Sequence, residues 1–370
     1  MHHKKKILFI APADSIHSHK WVEYFSENEF IWISYNKVNF DTHALLNQRQ
    51  KNNLNKIKVN NFLSIPVIQI ILSFFYFIKY QPTIVHIHSV YRYSFLSILI
   101  FLFHKNIILT VWGTDFLNHN KNFFKKKFFN FIFKKCRKIT TDGFHIKDKI
   151  HNIFSFTKKK IELINFGMND YFLDSKINFE NIRNDVNKIL QTKNNFFFSC
   201  RGYTSYYDYM TIIEAFYKLK KKNTILVLAG GTGEPYYKKL VRDKIVSLNL
   251  TSKVFILGHL NKDELKILYQ KTEAFISASH HDAGISTSIC EAMATGAKCI
   301  VANNSDNSFW IKDGVNGFLF ENSNFEELYK QMTKIEKIDK QNLINFNFDI
   351  LNKNNNYQNE MKKMERIYFE

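Results

Sequence analysis

Asp282-Ala-Gly-Ile-Ser-Thr-Ser-Ile-Cys-Glu-Ala-Met-Ala-Thr-Gly296 is the stretch on which the reading of this chain turns. The apolar run Ala274-Phe-Ile-Ser-Ala-Ser279 just ahead of it reads as a buried strand running into a loop. Small residues follow at Gly284, Ser286, Thr287 and Ser288. A helix is expected to begin near Ser286 and to stop at Gly296, a residue suited to the left-handed C-terminal cap. Exposed amides and a helix N-terminus then fall at the carboxyl end of a strand, an arrangement that attracts phosphate. Glu291, about one turn into the helix, is positioned to accept hydrogen bonds from vicinal hydroxyls. Amides for phosphate and a carboxylate for sugar hydroxyls together point to a nucleotide-sugar site.

Outward from this stretch the chain alternates short apolar runs with helical periodicity. Strands are expected at Ile7 to Ala11, Phe30 to Ser34, Thr83 to His88, Asn106 to Val111, Lys138 to Thr141 and Ile161 to Asn165. Helices are expected between them, at Ser18 to Asn28, Ser64 to Lys79, Phe95 to Phe103 and Phe123 to Lys138. After a polar stretch from Asp174 to Lys193 the alternation resumes, with strands at Asn195 to Cys200, Thr224 to Ala229, Lys253 to Leu257 and Ala297 to Ala302. Pro235 opens a helix, Asn261 to Glu264 and Ser323 to Glu326 read as helix starts, and Asn356 to Phe369 as a final helix. Such alternation specifies an α/β chain with two doubly wound, Rossmann-like sheets and a boundary near residue 180. Ligands of such sheets bind outside the carboxyl ends of the strands, where Arg201, the Gly230–Gly233 loop, Gly258 and the Asp282 to Glu291 segment fall.

Composition narrows the function classes. The 370 residues are 45% hydrophobic, enough for two cores, and carry a formal charge of +19. Nearly all of the positive charge is Lys, with only seven Arg, and Asn–Lys tracts recur throughout. Scarce Arg, dispersed Lys and no nucleic-acid module argue against a nucleic-acid partner, the charge notwithstanding. Cys136, Cys200, Cys290 and Cys299 form no CxxC pair and read as buried free thiols of a reducing compartment. The opening apolar run is too short for a signal-peptide core, so the expected location is the cytoplasm, with peripheral contact on the inner face of the plasma membrane. Leu63 to Ile78 is apolar but, at sixteen residues, shorter than the roughly 20 a bilayer requires. It reads as a buried or interfacial helix. Phe123 to Lys138 pairs a Phe face (Phe124, Phe128, Phe129, Ile132, Phe133) with a Lys face. The favoured reading packs the Phe face on the sheet, and the other lays it on anionic lipid.

Several motifs add up to a resemblance. Leu228-Ala-Gly-Gly-Thr-Gly233, Val254-Phe-Ile-Leu-Gly258, Leu265 to Tyr269, Glu291-Ala-Met-Ala-Thr-Gly296 and Asp313-Gly-Val-Asn-Gly-Phe318 occur in order over about 130 residues. The region Phe196 to Leu328 resembles the donor-binding domain of glycosyltransferase family 4, retaining enzymes of the GT-B fold. The first half is similar through Ser15 to Trp21, Ile84 to His88, Thr110 to Asp115 and Ile164 to Met168. The resemblance implies two Rossmann-like domains with an interdomain cleft. Residues 1–178 would bind the acceptor and 190–345 a nucleotide-diphosphate sugar, with a C-terminal helix in 346–370 returning to the first domain. The implied activity is hexosyl or N-acetylhexosaminyl transfer from a UDP-sugar to a surface glycan: lipopolysaccharide, capsule or lipid-linked oligosaccharide. No D-x-D triplet is present, and neither metal nor other cofactor is expected.

The site residues follow by position. Glu291 matches the family's ribose-binding carboxylate. Its partner carboxylate should fall at 283, which is Ala, leaving Asp282 one residue off to serve. Arg201 matches the diphosphate Arg, whereas the expected Lys position, 206, is Tyr. Gly230, Gly231, Gly233, Gly284, Thr287, Ser288 and Ile289 complete the donor set, with the glycine loop equally readable as a tight turn. Asp115 reads either as the group that orients or deprotonates the acceptor or as a helix cap. His17 and Trp112 are assigned to the acceptor, and His86 and His88 read as hydrogen-bonded strand-end residues rather than metal ligands. A nucleotide-sugar epimerase of similar fold is the alternative enzyme, and a basic nucleic-acid-binding protein the less favoured one.

Overall fold

The computed structural model of the protein describes residues 5–39, 42–43, 46–59, 65–118, 122–168, 170–174, 176–282 and 284–370. The chain divides into two compact units, Met1–Phe166 with Gln358–Glu370, and Gly167–Tyr357. Each is built on one parallel sheet.

In the first unit β1 (Lys6–Ile10), β2 (Glu29–Ser34), β3 (Ile57–Val59), β4 (Ile84–His88), β5 (Ile107–Val111), β6 (Lys138–Thr141) and β7 (Ile161–Leu163) lie in the order β3-β2-β1-β4-β5-β6-β7. In the second, β8 (Asn195–Cys200), β9 (Thr224–Ala229), β10 (Val254–Leu257), β11 (Ala274–Ser277), β12 (Cys299–Ala302) and β13 (Gly317–Phe320) lie in the order β10-β9-β8-β11-β12-β13. The strands are short and apolar on both faces because helices cover both. The pleat then splits each strand between two cores. Phe196 and Phe198 of β8 join one cluster with Val227, Phe275 and Val301, and Phe197 joins the other with Leu226, Leu228 and Ile300. Strand order reverses between β1 and β4 in one unit and between β8 and β11 in the other. A crevice opens at such switch points, which is where function is sought.

The expected elements recur with shifted ends. The helix Thr287–Ala294 begins on Ser286 and ends as expected at Gly296, whose φ is +76°. Gly296 N–H donates to Met293 O at 3.1 Å and Ala297 N–H to Ala292 O at 2.9 Å, the paired bonds of a Schellman motif. Asn261 and Glu264 form a full capping box. The second expected box is only a cap, one residue later: Asn324 accepts from Glu327 N–H, Ser323 is left-handed at φ +57°, and Glu327 Oε2 accepts from Glu321 N–H at 2.6 Å. Elements that were not expected include β3, β13, and the helices Phe144–Ile153, Asn184–Gln191 and Lys340–Asn355.

The units also differ from the expected spans. Residues 167–178 and 346–357 belong to the second unit, since Met168, Phe172 and Leu351 pack into its core with Val186 and Tyr269. From Gln358 on, the helix Tyr357–Phe369 belongs to the first unit, where Tyr368 Oη hydrogen-bonds His86 Nδ1 at 2.5 Å. The helix Phe123–Lys135 buries Phe129, Ile132 and Phe133, but Phe124, expected on the same face, is 78% exposed. It lies in the first turn of the helix and meets the likewise exposed Phe123, ring to ring at 5.7 Å. None of the four cysteines is joined in a disulfide, and Cys136, Cys290 and Cys299 are buried. No helix among the described residues is long and apolar enough to cross a membrane. Leu63 and Ser64, at the start of the long apolar run, lie outside the described residues.

Candidate functional site

Arg201 leaves the end of β8 and reaches across the switch point to the loop after β11. Its Nη2 donates to Asp282 Oδ1 at 2.9 Å and its Nη1 to Ser288 Oγ at 2.8 Å. The Arg201 and Asp282 side chains are 13% and 7% exposed, so the pair is largely desolvated. The Tyr207 ring lies 4.4 Å from the guanidinium carbon. Burial works against the guanidinium charge, and Asp282 followed by Tyr207 more than offsets it, holding Arg201 above its ordinary pKa. The backbone of Arg201 is fixed through the buried Tyr209. That hydroxyl accepts from Arg201 N–H at 2.8 Å and lies 2.7 Å and 2.9 Å from the carbonyls of Arg201 and Ala229, which compete for its proton. Tyr207 and Tyr209 escaped the sequence reading. Their signal was the density of Tyr in Tyr203 to Tyr209, directly after a strand end.

Asp282 is therefore first of all the partner of Arg201, a role its position relative to Ala283 did not reveal. Ala283 itself lies outside the described residues. Asp282 Oδ2 is buried and has no hydrogen-bond partner among the described residues. Ser288 Oγ lies 3.3 Å from Ser286 Oγ, and Ser286 Oγ accepts from Ile289 N–H at 3.4 Å. Of the three first-turn amides expected to hold phosphate, the Ile289 amide is thus spent on the cap. Thr287, exposed, and Ser288 stand at the open end of the helix, and Gly284 is buried in the preceding loop. Glu291 is half-buried one turn on, and Tyr269 Oη approaches its Oε2 at 3.4 Å. Tyr269 Oη also meets Cys200 Sγ at 3.0 Å, and burial pushes the Cys200 thiol up to about 12. Glu291 and Arg201 are thereby connected through the end of β8.

The glycine loop after β9 has a packing reason of its own. A Cβ on Gly230 would fall 2.1 Å from Arg201 O, and one on Gly233, at φ +136°, 2.4 Å from Tyr203 O. These glycines let the loops after β8 and β9 touch, while Gly231 lies against His259. Beside them is a cavity of about 140 Å³ lined by Tyr203, Gly230, Lys238, Arg242, Ile256, Leu257 and Gly258. It carries two cations at the carboxyl ends of β9 and β10, and Lys238 Nζ donates to Gly231 O at 3.4 Å. Position 206, where a Lys was expected, holds a Tyr whose hydroxyl is 2.8 Å from His281 Nδ1.

The switch point of the first unit holds a cluster of aromatic rings. His17 lies 4.2 Å from Phe166 and 6.2 Å from Trp112, and His88 lies 5.9 Å from Trp112 and 4.8 Å from Trp21. His86 hydrogen-bonds Tyr368 and Thr110, as a strand-end residue should. His88 departs from that expectation: neither ring nitrogen has a hydrogen-bond partner among the described residues, nor do His17 Nδ1, Trp21 Nε1 and Trp112 Nε1. Burial, and then repulsion from His17, lowers His88 to about 3, and burial, then repulsion from Lys20, lowers His17 to about 3. Asp115 braces this cluster. Val90 N–H donates to its Oδ2 at 2.6 Å and Trp112 N–H to its Oδ1 at 3.1 Å, tying the loops after β4 and β5 together. Burial raises it to about 6, against those hydrogen bonds. No group of three or more His, Cys, Asp or Glu that could hold a metal occurs among the described residues.

An acid-stability prediction follows from His88. A pKa of 6.5 unfolded and about 3 folded means the unfolded chain binds the extra proton between those values. Stability is therefore complete above pH 6.5 and is lost as pH falls, by up to about 1.4 kcal/mol per pH unit for one ring. Denaturant titrations from pH 7 to 4.5 should show a shallower loss in His88→Leu than in the wild type. Equal slopes would mean the ring is not held neutral.

Comparison with known proteins agrees with this geometry. Residues 180–346 match the family described as glycosyl transferases group 1, and residues 6–143 that described as glycosyl transferase 4-like. The chain belongs to the family 4 type of glycosyltransferases with the GT-B fold. It is 26% identical over 238 residues to the O-antigen chain mannosyltransferase RfbU of Salmonella typhimurium, a match covering 62% of this chain and 60% of that protein. The fold is similar to that of a glycosyltransferase from Rickettsia africae (TM-score 0.78, 20% identity, 99% of this chain and 98% of the other). It is also similar to that of Anabaena Alr3699/HepE, solved with UDP and glucose (TM-score 0.77, 14% identity, 98% of each chain).

Proposed function

We propose that the protein is a retaining glycosyltransferase that moves a sugar from a nucleotide-diphosphate sugar to a hydroxyl of a growing surface glycan. The observation that carries this reading is the Arg201–Asp282–Ser288 constellation at the helix start, with Glu291 one turn behind it. A diphosphate leaving group gains negative charge as the anomeric bond breaks. A guanidinium and helix-start amides stabilise that charge more in the transition state than in the ground state. Arg201 is the main phosphate group, aided by the Thr287 and Ser288 amides. Lys238 and Arg242, beside the glycine loop, supply the positive charge that position 206 lacks. Glu291 holds the ribose hydroxyls, and Asp282 orients Arg201 and faces the transferred sugar.

The first unit binds the acceptor. The unspent nitrogens of His17, His88 and Trp112 suit a hydroxyl-rich ligand, and Asp115 positions the loop that carries Trp112. Similarity to an O-antigen mannosyltransferase and to a fold solved with UDP and glucose supports a hexose donor, with UDP as the first nucleotide to test. No metal is required in this reading, because cationic side chains and amides neutralise the diphosphate.

Incubation with radiolabelled UDP- and GDP-hexoses, with and without a lipid-linked glycan acceptor, tests the proposal. Label should pass to the acceptor with the donor's anomeric configuration. Conversion of the donor to an epimer without any acceptor would establish the epimerase reading instead.

A further inference from the structure

The helix Pro66–Tyr80 is apolar on both sides: Ile70, Phe74 and Phe77 pack against the core of the first unit, and a second apolar row faces water. Its buried residues are the polar Gln69 and Ser73, and Ser73 Oγ is 2.7 Å from Tyr35 Oη in the interior. Its exposed residues include Val67, Ile71, Phe75 and Ile78, at 63%, 56%, 55% and 54% exposure. The spacing of these four, i, i+4, i+8 and i+11, places them on one face. At the end of Ile98–Phe103, Leu102 and Phe103 are 52% and 67% exposed, and Phe103 meets the Pro66–Tyr80 helix through Phe74, ring to ring at 5.2 Å. An apolar stripe of this kind on a water-facing helix calls for an occupant.

Charge identifies that occupant. From Thr42 to Lys138 the sequence holds fifteen Lys and Arg and a single carboxylate, Asp115, whose oxygens accept from main-chain amides. Lys79 and Lys105 are exposed at the ends of the two helices, and Lys126, Lys127, Lys134 and Lys135 along Phe123–Lys135. Phe123 and Phe124 are exposed at the start of that helix. A second copy of the chain offering the same face would set these lysines against each other across an isologous contact. An anionic bilayer offers acyl chains to the stripe and phosphates to the lysines. The fifteen-residue helix, about 22 Å long at 1.5 Å per residue, is too short to cross a bilayer and suited to lying in its surface.

We propose that the first unit docks on anionic lipid through the outward face of Pro66–Tyr80 and the end of Ile98–Phe103. The inference is independent of the transfer reaction, because its test uses no sugar donor or acceptor.

The test is flotation of the full chain with vesicles of phosphatidylcholine alone or with 30 mol% phosphatidylglycerol as the probe. The wild type should float with the anionic vesicles, at least about tenfold more than with the neutral ones, and less at high salt. Ile71→Ser/Phe75→Ser should lower the affinity for anionic vesicles at least about tenfold. Its melting temperature should be no lower than the wild type's, since both side chains already face water. Lys126→Gln/Lys127→Gln should weaken binding to anionic vesicles alone. Wild type that fails to float with anionic vesicles would overturn the proposal. So would a serine variant that floats equally well, or a concentration-dependent dimer that the serine variant abolishes in place of any lipid binding.

Discussion

Arg201→Ala should lower kcat/KM by about 10²–10³-fold, the cost of removing one preorganised charge-stabilising donor. It should also destabilise the fold by about 3–5 kcal/mol, because Asp282 is left buried without its counter-charge. The two effects separate in a second variant. Arg201→Ala/Asp282→Asn removes the stranded charge, so its unfolding free energy should recover most of the loss while activity stays low. Arg201→Lys is not conservative here, since one ammonium on a flexible stem cannot reproduce the fork that spans Asp282 and Ser288 at 2.9 and 2.8 Å. Denaturant titrations and single-turnover transfer rates on the three variants check the set. Recovery of both stability and activity in the double variant would make Arg201 a structural ion pair only.

Glu291→Ala is the second large effect. Glu291 sits on the helix whose start faces Arg201, and its carboxylate is approached by Tyr269 at 3.4 Å. Its proposed work is to accept hydrogen bonds from the two ribose hydroxyls. Charged hydrogen bonds of this kind contribute about 1.5–3 kcal/mol, so loss of the carboxylate should weaken nucleoside diphosphate binding by roughly ten- to a hundredfold. Ligand that binds only the folded state raises the melting temperature, and the shift given by UDP should nearly vanish in the variant. A shift as large as the wild type's would remove Glu291 from the ribose site.

The fold was legible because each sheet strand is apolar on both faces and short, so Phe196 to Ser199 or Ile84 to His88 stand out between helical stretches. What was missed lies where composition masks period. The helix Lys340–Asn355 carries Asn at positions that would ordinarily be apolar. Asn347 donates to Met293 O at 2.9 Å and accepts from Asn316 Nδ2 at 2.8 Å, and Asn355 Nδ2 meets Cys290 Sγ at 3.0 Å. Those partners are distant in sequence, so the helix reads as a polar tract until the second unit closes around it. β3 is hidden in the same way, in an Asn–Lys tract. The end of the first unit was placed too late for a related reason: Met168 and Phe172 are apolar on either reading, and only packing assigns them to the second core.

The candidate site was legible as residues rather than as contacts. Arg201, Asp282 and Ser288 were each singled out from local pattern. Their joining across 81 and 87 residues depends on β8 and β11 being neighbours, which strand order decides and sequence spacing does not. Asp115 shows the same limit. A carboxylate after a strand reads as a catalytic base, yet both of its oxygens are engaged by main-chain amides, which favours a positioning role.

Glu291 is proposed to read ribose behind a phosphate-binding helix start, and isothermal titration tests that role directly. Four titrations are needed: UDP and its 2′,3′-dideoxy analogue, each into wild type and Glu291→Ala, with the matching guanine pair if UDP does not bind. The wild type should bind the dideoxy analogue at least about tenfold more weakly than the parent nucleotide, and the variant should bind the two equally. A variant that still discriminates as strongly as the wild type would contradict the account.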